Sequence, residues 1–157
     1  MAMTMQGEVV LPAPRETVWA KLNDAETLKA CIPGCQSLEK TSDSSFEAAA
    51  KVKVGPVGAT FKGKVDLVDL DPPNGYRIVG EGQGGIAGFA KGAATVRLSD
   101  AEGGGTKLTY DVEANVGGKI AQLGSRLIDG VAKKTADKFF ENFARAVTGE
   151  AVAPGEA

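Results

Sequence analysis

Between Phe46 and Val116 apolar side chains recur at every second position, and turn-forming clusters interrupt them at short intervals. Phe46, Ala48, Ala50, Val52 and Val54 alternate with Glu47, Ala49, Lys51 and Lys53, and Gly55-Pro56 turns the chain. Ala59, Phe61, Gly63, Val65 and Leu67 then alternate with Thr60, Lys62, Lys64 and Asp66. Asp71-Pro72-Pro73-Asn74-Gly75 makes the next turn, Tyr76 to Gly82 a further strand, and Gln83 to Ala87 a glycine-rich link. Phe89 to Leu98 precedes a Gly103-Gly104-Gly105 turn, and Leu108, Tyr110, Val112, Ala114 and Val116 give the cleanest alternation. Strands joined by turns this short pair as an antiparallel meander, because parallel pairs need long crossovers. One face of the sheet is apolar, so another element must cover it.

The flanking segments supply that element. Met3 to Leu11 alternates as a strand and is stopped by Pro12 and Pro14. Arg15 to Asn23 reads as a short helix, and Asp24 caps a second one, Ala25 to Cys31, which the Pro33-Gly34 pair ends. Gln36 to Lys40 is a short strand. After Gly117-Gly118, one long helix is predicted from Lys119 to Thr148, with Ile120, Leu123, Leu127, Val131, Phe139 and Phe143 at helical spacing. At ~1.5 Å per residue it would run about 45 Å, enough to cross a curved sheet. The expected fold is α+β: a curved antiparallel sheet around a long C-terminal helix, with two short helices after the first strand. Residues 1–148 are read as a single domain and 149–157 as a short, disordered polar tail.

Composition narrows the chemistry. The formal net charge is −2 and the cations are scattered singly, which gives no electrostatic case for nucleic acid. No eighteen apolar residues run together and no basic n-region precedes an apolar stretch, so a cytoplasmic location is expected. The chain has no histidine, which excludes Ser-His and Cys-His nucleophile pairs. Cys31 and Cys35, spaced C-x3-C, lack the further ligands a zinc site needs and read as buried or half-buried thiols. Asp66, Asp69, Asp71, Glu81, Asp111 and Glu113 alternate with core positions and are expected to face water. The run Gly80-Glu81-Gly82-Gln83-Gly84-Gly85 lies between antiparallel strands and opens no helix, unlike a nucleotide-binding loop.

Small residues stand out on the faces assigned to the interior: Ala48, Ala50, Gly63, Gly80, Gly82, Ala94 and Ala114, with Gly124 and Gly130 on the long helix. A helix laid over such a surface either touches the sheet backbone closely or leaves a void that calls for an occupant. The sequence leaves both open.

Four strings carry a family resemblance: Leu28 to Leu38 (LKACIPGCQSL), Lys53 to Gly63 (KVGPVGATFKG), Asp69 to Gly85 (DLDPPNGYRIVGEGQGG) and Gly118 to Val131. With the order of elements, they make the chain resemble the START-like (polyketide cyclase and lipid-transfer, helix-grip) superfamily. Within it, the chain resembles the carbon monoxide dehydrogenase G-subunit family, over residues 4–148. The resemblance implies an apolar cavity between sheet and helix, no cofactor or metal of the protein's own, and an accessory role beside a molybdenum-containing carbon monoxide dehydrogenase or related hydroxylase. A quinone or a lipid is the implied ligand. Candidate cavity residues are Phe61, Val65, Tyr76, Phe89, Tyr110 and Val112 on strands and Leu123, Leu127 and Val131 on the helix, with Leu28 and Ile32 at the entrance. The competing readings are a docking or assembly factor without a ligand and a cyclase-like enzyme. The resemblance also implies that several relatives continue through a flexible linker into a C-terminal membrane-binding segment, whereas this chain stops at Ala157 with a polar tail, so any membrane contact is expected to be transient.

Overall fold

The computed structural model describes residues 2–149; most of the expected polar tail lies outside the described residues. Seven strands, β1 (Ala2–Leu11), β2 (Cys35–Ser42), β3 (Ser45–Val54), β4 (Val57–Asp71), β5 (Gly75–Gln83), β6 (Phe89–Asp100) and β7 (Thr106–Gly117), form one antiparallel sheet in the order β1-β7-β6-β5-β4-β3-β2. The meander read from the alternation is therefore present. The first strand closes the far edge beside the last one, with Met5 opposite Val112 and Val9 opposite Leu108.

Helices α1 (Arg15–Leu22) and α2 (Ala25–Cys31) carry the chain from the β1 edge to the β2 edge. Asp24 caps α2 as its sequence suggests: its carboxylate accepts from the Thr27 hydroxyl at 2.6 Å and the Thr27 amide at 3.3 Å. Those bonds, the hydroxyl's first, hold the Asp24 carboxyl below its ordinary range. At Gly34, φ is +75° and a Cβ would collide with the Lys51 carbonyl oxygen, so only glycine lets this turn lie against β3.

The last helix differs from expectation. It does not run unbroken from Lys119: a 3-10 turn, Lys119–Leu123, is followed by Gly124 at φ +95°, and α3 spans Ser125–Val147. Gly118 (φ +83°) and Gly124 bracket the turn in backbone conformations that other residues rarely adopt, which breaks the helical path. At 23 residues α3 is about 35 Å long, not 45 Å. Gly124 thus lies outside the helix, and Gly130 is exposed, where an added Cβ would meet nothing within 4 Å. Neither glycine serves close helix–sheet packing. No helix among the described residues is long and apolar enough to cross a membrane.

The core is in two parts. One gathers Leu11, Val18, Leu22, Cys31, Phe46, Leu67, Tyr76, Val96, Leu98, Leu108, Phe143 and Val147 beneath α1, α2 and the C-terminal half of α3. The other gathers Val54, Ala87, Val116, Ile120 and Ile128 around the start of α3. Each large buried side chain, such as Phe143 or Leu11, contributes about 1.5–3 kcal/mol relative to exposure. On α3 the row Ile128, Ala132, Ala136, Phe140 runs at i+4 spacing, so small side chains span the stretch between the two clusters.

Candidate ligand cavity

The gap between the two core clusters coincides with small residues on the concave face of the sheet. Across adjacent strands the register aligns Ala48, Gly63, Gly82 and Ala90 in one row, and Val65, Gly80, Gly92 and Ala114 in the next. Ile78, Ala94 and Val112 follow beyond them. All are only half-buried, unlike the side chains above and below them. They line an open cavity of about 330 Å³, with Phe61 and Val65 on its β4 wall. Larger depressions of about 560 and 740 Å³ lie on the convex face, walled by Lys62, Lys64, Glu81, Arg77 and Glu113. Charged side chains of both signs stand in both walls, so an apolar molecule seated there would have to desolvate them.

The glycines are not equivalent. At Gly63 an added Cβ would collide with the Glu81 carbonyl oxygen and sit 2.9 Å from Gly82 Cα; at Gly92 it would collide with the Glu113 carbonyl oxygen and sit 2.8 Å from Ala114 Cα. Side chains at these two positions would push neighbouring strands apart, so glycine there sets how tightly the sheet bends. At Gly82 the nearest atom to such a Cβ is the Lys62 carbonyl oxygen at 3.8 Å, an ordinary van der Waals distance that a side chain tolerates. Gly82 borders volume rather than a neighbour.

Of the residues expected at the cavity, Phe61, Val65 and Val112 line it. Tyr76 belongs to the first core cluster, its ring 5.2 Å from Trp19, and burial pushes its hydroxyl pKa up. Tyr110 lies over Gly7 and stacks on Phe140 at 5.3 Å. Leu28 packs on the first cluster and Ile32 is half-buried just after α2. Leu123 and Val131 pack on the second cluster.

Two expected residues point elsewhere. Phe89 shares the parity of Lys91, Ala93 and Arg97, so it falls on the convex side, where its ring covers Gly117. Leu127 is 38% exposed at the hairpin tip beside Gly55, because Ile128, one position on, takes the inward place. Gly92, Ala90 and Ile78 were missed; the parity fixed by Ala94 on β6 is the signal that finds the first two.

The acidic residues expected to face water do lie toward the convex face or its turns, Asp66 half-buried and accepting from Ser45 Oγ at 2.6 Å. Among the described residues the buried polar side chains are Thr106, which donates to the Ala13 carbonyl at 2.6 Å, and Asn142, which donates to the Cys31 carbonyl at 3.0 Å. The Asn142 bond ties the end of α2 to α3, and its Oδ1 has no partner. No cluster of metal-ligating side chains is present among the described residues.

Both cysteines are free thiols. Burial pushes Cys31 up to about 11 from its ordinary value near 9, and raises the half-buried Cys35 as well. A thiol that stays protonated in the folded state but ionises in the unfolded one favours folding fully below pH about 9 and loses that effect as pH climbs to about 11. Denaturation midpoints should accordingly fall as pH rises from about 9, with Tyr76, raised in the same direction, adding to the loss at higher pH. Iodoacetamide near neutral pH should label Cys35 and spare Cys31 until denaturant is added, as read by peptide mass spectrometry. Equal labelling of both in the folded protein contradicts this placement of Cys31.

A curved seven-stranded antiparallel sheet, a pair of short helices after the first strand and a long C-terminal helix across an open concave face define a helix-grip, START-like protein. The chain belongs to the CoxG family, described as the G subunit of carbon monoxide dehydrogenase, which it matches over residues 7–148. A conserved protein from Geobacillus kaustophilus is 31% identical, with a TM-score of 0.87 over 94% of this chain and 96% of that one. The Zhui aromatase/cyclase from Streptomyces sp. R1128 shares the fold at 14% identity, with a TM-score of 0.66 over 96% of this chain and 100% of that one. The protein TTHA0849 from Thermus thermophilus does so at 16% identity, with a TM-score of 0.69 over 94% of this chain and 98% of that one. No curated protein matches the sequence.

Proposed function

We propose that this protein is a non-catalytic carrier that holds a small hydrophobic molecule, a quinone or a lipid, against the concave face of its sheet, in the service of a molybdenum-containing carbon monoxide dehydrogenase or related hydroxylase. The observation that carries the reading is the divided core: well-packed apolar clusters on both sides of an open apolar surface of alanines and glycines. Interiors rarely keep such gaps without an occupant. The family match supports the enzyme partner.

Size and chemistry shape the proposal further. A cavity of about 330 Å³ is at the low end of ligand pockets, roughly 300–1,000 Å³. It suits a ring-sized group, with any long tail leaving through the open side. Glu81, Lys91 and Glu113 also border the cavity, but strand parity turns their side chains toward the convex face, which leaves the concave lining of Ala48, Gly63, Gly82, Gly92, Ala94, Ala114 and Val112 apolar and so favours holding a molecule over transforming it, the carrier over a cyclase-like enzyme.

Organic extraction of the purified chain followed by mass spectrometry tests the reading. An isoprenoid quinone or a single lipid class near one equivalent supports it. Recovery of nothing apolar, together with failure of added quinone or lipid to bind, would overturn it and leave the docking role.

A further inference from the structure

Around a helix, residues seven apart lie within about 20° of one another, so a heptad row marks one face. Ile128, Thr135 and Asn142 form such a row on α3. Ile128 and Asn142 are buried, whereas Thr135, midway between them, is exposed. Its neighbours one turn away on the same face are packed too: Val131 on the second core cluster and Phe139 on the first. Thr135 thus faces the sheet between packed flanks, and it is accessible because nothing in the chain fills the space beneath it. That space is the gap between the clusters, walled on the sheet side by alanines and glycines.

The inward face of α3 from Ile128 to Phe139 is made of Ile128, Val131, Ala132, Thr135, Ala136 and Phe139, and only position 135 is polar. Holding the helix off the sheet asks for no more than alanine, as at 132 and 136, and alanine is the better helix former. A helical threonine can turn its hydroxyl back onto the carbonyl four residues earlier. Thr135 does not: its hydroxyl makes no hydrogen bond among the described residues. Opposite it, the sheet offers methyl groups and Cα hydrogens. A free donor set against an apolar wall is the kind of polar group that orients a ligand in an otherwise apolar pocket.

We propose that the Thr135 hydroxyl donates a hydrogen bond to a carbonyl oxygen of the bound molecule, so that the cavity selects an apolar molecule carrying a carbonyl over a hydrocarbon of the same outline. The inference rests on the carrier reading and adds to it the residue that sets specificity. A ring carbonyl of a quinone and the ester carbonyl of a lipid both supply the acceptor. A site built to hydrogen-bond one group discriminates against the analogue that lacks it, because its own polar group is then left unpaired. Thr135 binds and orients; no bond in the ligand is made or broken.

Equilibrium titration of the full chain and of Thr135→Val and Thr135→Ser tests it, with four probes: a short-chain benzoquinone, the alkylbenzene of the same outline, a fatty acid methyl ester and the alkane of the same length. Wild type is expected to bind at least one carbonyl probe roughly tenfold tighter than its hydrocarbon counterpart. Thr135→Val keeps the branched shape without the donor, so it should bind that carbonyl probe roughly tenfold more weakly and leave the hydrocarbon's affinity unchanged. Thr135→Ser should restore most of the loss. A loss confined to the quinone names a quinone as the source of the carbonyl, one confined to the ester names a lipid, and either supports the proposal. It is overturned if Thr135→Val binds the carbonyl probes like wild type, or weakens the hydrocarbons equally, and the carrier reading survives both results. If wild type binds none of the four probes, the carrier reading falls and this inference falls with it.

Discussion

A valine at position 92 is expected to remove about 3 kcal/mol or more of stability, lowering the melting temperature by roughly 10 °C. Gly92 lies near the middle of β6, paired with Gly80 of β5 and Ala114 of β7. A Cβ there collides with the Glu113 carbonyl oxygen and crowds Ala114 Cα at 2.8 Å, both backbone groups of β7. A flexible side chain could swing aside; β7 cannot, because it is hydrogen-bonded to β6 on one side and β1 on the other. The sheet must therefore flatten or lose pairing at its centre. Gly63→Val should behave similarly against the Glu81 carbonyl on β5. Thermal unfolding followed by circular dichroism reads both, and a melting temperature within a degree or two of wild type for Gly92→Val would show that these glycines do not set the bend.

Gly82→Trp should do the opposite: leave the fold standing and abolish ligand uptake. Gly82 is on the same concave face, but a Cβ there meets nothing closer than 3.8 Å, and the indole would project into the cavity. Displacing about ten ligand atoms at roughly 0.3 kcal/mol each costs about 3 kcal/mol, more than a hundredfold in affinity. Titration of a short-chain quinone into both proteins would measure it. Unchanged affinity in a folded Gly82→Trp variant would place the ligand somewhere other than the concave face. The pairing of these two variants matters, because a glycine that permits curvature and a glycine that borders space look identical in sequence.

That identity marks the boundary of what the sequence could convey. Strict alternation from Phe46 to Val116 and emphatic turns announced the meander, and the apolar stripe through Val131, Phe139 and Phe143 announced the covering helix. The break at Gly124 was missed because Ile120 and Leu123 keep an apolar face whether their turn is 3-10 or α. Leu127 and Ile128 are adjacent aliphatics, and only the rotation of α3 after that break decides which one faces inward. Phe89 was misplaced because hydrophobicity outweighed strand parity. The cavity itself needs register: Ala48, Gly63, Gly82 and Ala90 become one row only once strands far apart in sequence are set side by side.

Alanine methyl groups offer the most direct test that an apolar molecule sits on the hollow side of the sheet. With alanine methyls labelled with carbon-13, addition of a short-chain quinone is expected to shift the resonances of Ala48, Ala90, Ala94 and Ala114, while Ala20 on α1 and Ala30 on α2, both exposed, stay fixed. The shifts should vanish in Gly82→Trp. If saturating quinone, and a lipid in its place, leave Ala48, Ala90, Ala94 and Ala114 unmoved, the concave face is not a binding site and the carrier account is wrong.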